Sequence, residues 1–174
     1  MNKTLKDKIQ KIKLLALDVD GVLTDGRIVV DGDGRETKFF DVQDGFGLVL
    51  FQKAGHKTAI ISARAAGAVT ARANDLKIDR IHQDAYPKIH AYQQLLEDFK
   101  LKDEEVCFIG DDLPDLVILK RVGFSVSVPE AAAEVKGTVH YVTAKRGGRG
   151  AVREVVELIL KTQRKWGKIV ADFI

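Results

Sequence analysis

Four short apolar runs, separated by segments of helical period, constrain the fold of this chain more than any other feature. They are Leu14-Leu15-Ala16-Leu17, Thr58-Ala59-Ile60-Ile61, Val106 to Ile109 and Phe124 to Val128. A strand that is apolar on both faces must be covered on both, and such strands belong to parallel sheets sandwiched between helices. Helical spacing fills 45–54, 65–75, 86–100, 112–121, 130–136 and 149–163. The alternation predicts an α/β fold, a Rossmann-like three-layer sandwich around a mostly parallel sheet. One segment departs from it. Arg27 to Val30 and Glu36 to Phe40 flank the run Asp31-Gly32-Asp33-Gly34, which reads as a β-hairpin over about 26–41. Its place directly after the first strand suits a flap over the strand ends or a means of pairing subunits, the other reading being a plain surface hairpin. No linker or repeat divides the 174 residues, so a single domain over 1–174 is expected.

Chemistry concentrates where the strands end. Ligands of open α/β sheets bind beyond the carboxyl ends of the strands. Asp18 and Asp20 follow the first run, and Gly110-Asp111-Asp112-Leu113-Pro114-Asp115 follows the third. If those two strands are neighbours, four or five carboxylates meet in one crevice. Helix capping explains one such aspartate but not all of them. Crowded carboxylates repel and favour a shared cation, and an all-oxygen set suits a hard ion such as Mg2+. Gly21 lets the backbone turn sharply between the acidic groups and the hairpin. Ser62, after the second run, offers a hydroxyl, and Lys88, before a helix, offers a point charge for phosphate oxygens.

In this order the residues resemble the haloacid dehalogenase superfamily of phosphotransferases, through Asp18-Val19-Asp20-Gly21-Val22, Ser62, Lys88 and Gly110-Asp111-Asp112. The stretches 17–26, 40–47 and 147–155 look like a capless branch of that superfamily, with similarity from about residue 12 to 162. That branch removes the 8-phosphate of an eight-carbon sugar acid in lipopolysaccharide synthesis, uses a hairpin in place of a cap domain, and assembles as homotetramers. The resemblance implies Mg2+ as cofactor and a small phosphorylated sugar acid as substrate. It makes Asp18 nucleophile and metal ligand, Asp20 acid/base with a backbone carbonyl on the metal, and Asp111 the third ligand. Asp112 and Asp115 would support the metal or Lys88, and Ser62 and Lys88 would bind the phosphoryl group. Asp20, Asp41, Asp44, Gly45, Arg64, Arg72 and Lys88 would face the sugar phosphate.

Val49 stands where relatives carry a basic residue, and Asp41 where they carry Asn. An alternative therefore keeps the chemistry and takes a nine-carbon sialic-acid-type 9-phosphate. Another keeps only the fold, as a non-catalytic tetramerising domain. The loop Gly147-Gly148-Arg149-Gly150 reads as a helix-start turn or a wall of the pocket. The tail 164–174, with Trp166, Ile169, Val170, Phe173 and Ile174, reads as packing on its own subunit or closing over a neighbour's site.

A formal net charge of +3 is too small to argue for nucleic acid. No apolar stretch approaches the ~20 residues that span a bilayer. The single cysteine, Cys107, cannot form an intrachain disulfide, and no signal-like segment opens the chain, so the cytoplasm is expected. His56, His82, His90 and His140 lie apart, without metal-ligand spacing.

Overall fold

The four apolar runs form the middle of one sheet. In the computed structural model, which describes residues 3–174, they are β1 (Leu14–Leu17), β4 (Lys57–Ile61), β6 (Val106–Ile109) and β7 (Phe124–Ser127). Two short edge strands, β5 (Arg80–His82) and β8 (Tyr141–Val142), complete a six-stranded sheet of order β5-β4-β1-β6-β7-β8. Every pairing in it is parallel. β1 lies between β4 and β6, with Leu17 level with Ile60 on one side and Ile109 on the other. Strand order reverses there, which is where an open α/β sheet leaves a crevice.

Alternation along the strands divides the core in two. Leu15, Leu17, Cys107 and Ile109 pack with Leu48, Phe51, Val155 and Ile159. These belong to α2 (Val42–Lys53) and α7 (Ala151–Thr162), which share a face of the sheet with α1 (Lys3–Gln10), α3 (Gly67–Asp75) and α8 (Trp166–Ala171). Leu14, Ala16, Val106 and Phe108 turn the other way, onto Tyr92, Leu95 and Ile118 of α4 (Lys88–Phe99) and α5 (Leu116–Leu119). Each of the Leu, Ile, Val and Phe side chains among them, fully buried, contributes about 1.5–3 kcal/mol. A short α6 (Ala133–Lys136) completes the second layer.

Two helices are shorter than their periodicity suggests. The region 112–121 opens with a 3-10 turn, Leu113–Asp115, before α5, and only Ala133–Lys136 of 130–136 is helical. The hairpin pairs just two residues a side, β2 (Val29–Val30) with β3 (Glu36–Thr37), antiparallel. Asp31 closes its turn by accepting from the backbone N–H groups of Asp33 and Arg35, at 3.0 and 2.8 Å. The tail docks on its own subunit. Ile169 is buried, the Phe173 ring meets Phe46 edge-on at 5.7 Å, and Lys53 pairs with Asp172 at 2.8 Å. Among the described residues no helix is long and apolar enough to cross a membrane.

At the opposite end of the sheet from the strand carboxyl ends, His56 is buried against Phe51, its Nε2 lying 2.8 Å from Gln163 Oε1 and 2.9 Å from Lys165 Nζ. Burial, reinforced by the Lys165 charge, lowers its pKa from 6.5 to about 4. The folded state thus keeps His56 neutral where the unfolded chain takes up a proton. Stability from this group is complete above pH 6.5 and is lost as pH falls towards 4, at up to roughly 1.4 kcal/mol per pH unit. Denaturant unfolding of wild type and His56→Gln over that window should show the wild type losing ground on acidification. A gap independent of pH would contradict it.

Candidate active site

β1 and β6 end side by side, and their loops bring the two aspartate clusters together. Asp18 leaves β1 with its N–H on the carbonyl of Ile109, at 3.0 Å. Carboxylate oxygens of Asp18, Asp111 and Asp115 all lie within 4.8 Å of one another. Gly21, at φ +87°, makes this approach possible, because a Cβ there would run into the Asp111 carboxylate. The loop Gly147-Gly148 closes against the same turn from behind, with Gly148 N–H on the carbonyl of Val22 at 2.9 Å. It walls the turn that follows Asp18.

Lys88 enters from the first residue of α4. Its ammonium is 2.9 Å from Asp18 Oδ1 and 2.6 Å from Asp115 Oδ1, with the side chain 2% exposed. Burial opposes its charge, but the two carboxylates outweigh burial and raise its pKa. Asp115 is fully buried and also accepts from the backbone N–H groups of Asp111 and Asp112 through Oδ2. Asp112 caps its own turn through the N–H of Leu113. Ser62, nearly buried at the end of β4, accepts from the N–H of Arg64 at 3.2 Å. These side chains, with Asp20 and Arg64, line a cleft of about 300 Å³. A neighbouring hollow of about 730 Å³ reaches Asp111 past Arg146 and Arg149.

The cleft carries more negative charge than Lys88 can offset. Burial and the nearby Asp115 push Asp18 up to about 6. Burial, then Asp18 and Asp115, push Asp111 up to about 8. Asp111 Oδ1 is buried without a hydrogen-bond partner. An oxygen-only cluster with surplus negative charge and an orphaned carboxylate oxygen fits a hard divalent cation such as Mg2+.

The remaining sequence-expected residues stand apart from this cleft. Asp41 is the N-cap of α2, accepting from Gln43 and Asp44 N–H at 2.7 and 3.1 Å, and lines a separate hollow with Arg27 and Arg149. Asp44, expected at the sugar phosphate, is instead 1% exposed and caps the neighbouring helix α7. Its two oxygens accept from Gly150 and Arg153 N–H at 3.0 and 2.8 Å. An orphan helix N-terminus packed beside it claims the carboxylate. Arg72 pairs with Asp75 at 2.7 Å and lays its guanidinium across Gly45, where a Cβ would collide with it. Sequence reasoning also passed over two residues of the hairpin. Lys38 reaches Asp20 Oδ1 at 2.5 Å, and Glu36 pairs with Arg64.

The haloacid dehalogenase-like hydrolase family model matches residues 78–155, and with the relatives below it shows that the chain belongs to that family. Within it the chain is similar to named sugar-acid phosphatases. The 3-deoxy-D-manno-octulosonate 8-phosphate phosphatase of Yersinia pestis is 43% identical, over 91% of this chain and 87% of its own. That of Escherichia coli K12 is 42% identical, over 91% and 84%. The crystal structure of the Moraxella catarrhalis phosphatase of that name, in complex with magnesium, phosphate and Kdo, superposes with a TM-score of 0.97. It is 41% identical and covers 100% of both chains. The cobalt-bound Haemophilus influenzae enzyme gives a TM-score of 0.88 at 35% identity, covering 91% of this chain and 92% of its own.

Proposed function

We propose that this protein hydrolyses 3-deoxy-D-manno-octulosonate 8-phosphate to Kdo and inorganic phosphate, with Mg2+ as cofactor, in lipopolysaccharide precursor synthesis. The supporting observation is the meeting of Asp18, Asp111, Asp115 and Lys88 at one sheet edge, in a chain alike throughout to a phosphatase that holds magnesium, phosphate and Kdo.

Asp18 is the nucleophile. Its carboxylate oxygen bonds to phosphorus as the bond from phosphorus to the sugar oxygen breaks, leaving an acyl phosphate on Asp18. Asp20 gives a proton to the departing alkoxide. It then takes one from the water whose oxygen attacks the same phosphorus and frees Asp18 and phosphate. Lys88 and the Ser62 hydroxyl hold the phosphoryl oxygens. Asp115 keeps Lys88 in place, with Asp112 shaping the turn that carries Asp111. Asp18, Asp111 and the Asp20 backbone carbonyl would hold Mg2+, which would supply the neutralising charge that lets a carboxylate approach a phosphate dianion. Arg64, on the cleft wall, is suited to the sugar's carboxylate, since a guanidinium binds carboxylates bidentately.

The same reading makes the chain a single-domain, cytoplasmic subunit of a homotetramer, with a small molecule as substrate and neither nucleic acid nor membrane as partner. The apolar surface on and beside the hairpin supports assembly: Ile28, Val29, Val30, Phe39 and Val42 are all exposed.

The test is a side-by-side assay of the eight-carbon 8-phosphate and a nine-carbon sialic-acid-type 9-phosphate. We expect at least about tenfold higher kcat/KM on the first, with activity lost on chelation and restored by Mg2+. The reverse preference would replace the substrate. Inertness towards both, and towards p-nitrophenyl phosphate with Mg2+ present, would leave only a tetramerising domain.

A further inference from the structure

Lys38 is a buried cation against the cleft's Asp20 to which the chemistry above gives no part. It follows β3 of the hairpin, and its side chain is 1% exposed. Its ammonium lies 2.5 Å from Asp20 Oδ1 and 3.5 Å from Glu36 Oε2. Glu36 pairs in turn with Arg64, whose Nε is 3.8 Å from Asp20 Oδ2. Four side chains thus form a ring of alternating charge. It joins the hairpin to the nucleophile loop and to the loop after β4.

Burying an ammonium costs several kcal/mol unless it is paired and hydrogen-bonded. Away from solvent, Lys38 has these two carboxylates to answer its charge, so the pairing fixes Asp20 as firmly as it fixes Lys38. Asp20 needs such a hold. It sits on a turn at the cleft mouth, and the hydrogen bond its carboxylate makes is the one to Lys38. Asp18, by contrast, is held by Lys88 and by the Ile109 carbonyl on its N–H. A proton donor works only within hydrogen-bond reach of the leaving oxygen, and displacement by about 1 Å can cost about 10²-fold.

Building on the phosphatase reading, we propose that Lys38 is a positioning residue. It aims the Asp20 carboxyl at the leaving-group oxygen, and Glu36 anchors the ammonium from the far side while Asp20 engages that oxygen. The hairpin is then part of the catalytic apparatus, because its closed position places the acid.

Leaving-group dependence separates this role from a structural one. A sugar alkoxide must receive a proton to depart, whereas p-nitrophenolate leaves as a stable anion. In Lys38→Met the ratio of kcat/KM on the sugar phosphate to kcat/KM on p-nitrophenyl phosphate, which reports the steps through leaving-group departure and not the acyl-phosphate hydrolysis common to both, should fall at least about tenfold. Lys38→Arg should recover most of the ratio, and Glu36→Gln should lower it to a smaller extent. If Lys38→Met fails a thermal-melt check of folding, the other two variants carry the same measurement. A parallel loss on both substrates, or an unchanged ratio, would overturn the assignment. Failure of the functional reading shows separately, as a wild type inactive on the sugar phosphate. Any alkyl phosphate that the wild type does accept then provides the poor-leaving-group arm.

Discussion

Asp18→Asn is expected to fold normally and to lose kcat by at least about 10⁴-fold, because an amide oxygen carries no charge with which to attack phosphorus. Normal folding follows from the charge balance of the site. Asp18, Asp111 and Asp115 crowd around the single ammonium of Lys88, and burial already lifts Asp18 to about 6. Removing one negative charge relieves repulsion and leaves Lys88 on Asp115 at 2.6 Å. Steady-state kinetics together with denaturant unfolding separates the two effects. Activity near that of the wild type would remove Asp18 from the role of nucleophile.

Lys88→Ala should act in the opposite sense, on stability as much as on rate. The ammonium is 2% exposed and touches Asp18 and Asp115. Without it, carboxylates that repel each other lose their buried counter-charge. Stripping one partner from a buried ion pair costs about 3–5 kcal/mol. The carboxylates left behind will favour their protonated forms in the folded state, so the variant should regain stability as pH falls and lose it as pH rises through their folded pKa values. Mg2+ should stabilise the variant more than it stabilises wild type, since the ion binds the folded carboxylate cluster and offsets the missing charge. Melting curves at two pH values, with and without the ion, test all three. Wild-type stability in metal-free buffer at neutral pH would show that Lys88 is not what holds the cluster together.

How much of the molecule could be read beforehand depended on whether its signal was local. β1, β4, β6 and β7 were legible because a strand covered on both faces must be apolar at consecutive positions. β5 and β8 were not. At the sheet edges, Arg80-Ile81-His82 and Tyr141-Val142 are short and half solvated, so their composition need not differ from that of a loop. The terminal helices were missed for a related reason: α1 and α8 each bury one residue, Ile9 and Ile169. Asp18, Asp20, Ser62, Lys88 and Asp111 were visible because each lies within three residues of the end of an apolar strand or at the start of a helix. Asp44 was visible as an acidic residue, but its task was not, since the helix it caps begins more than a hundred residues later.

The order of strands and helices, the covering of the sheet on both faces and the grouping of aspartates at strand ends are all written in neighbouring residues. Apolar periodicity and the polarity of a strand end are properties of a few consecutive side chains, so the linear chain suffices to set them. The pairing of β1 with β6, which carries Asp111 to Asp18, and the fold of the hairpin, which carries Lys38 to Asp20, arise only when distant segments pack. Coulomb attraction and burial act on distance in space, and the chain alone does not encode that distance in any one stretch. The acidic centre was therefore present in the sequence as parts, and packing decided which charges would face one another.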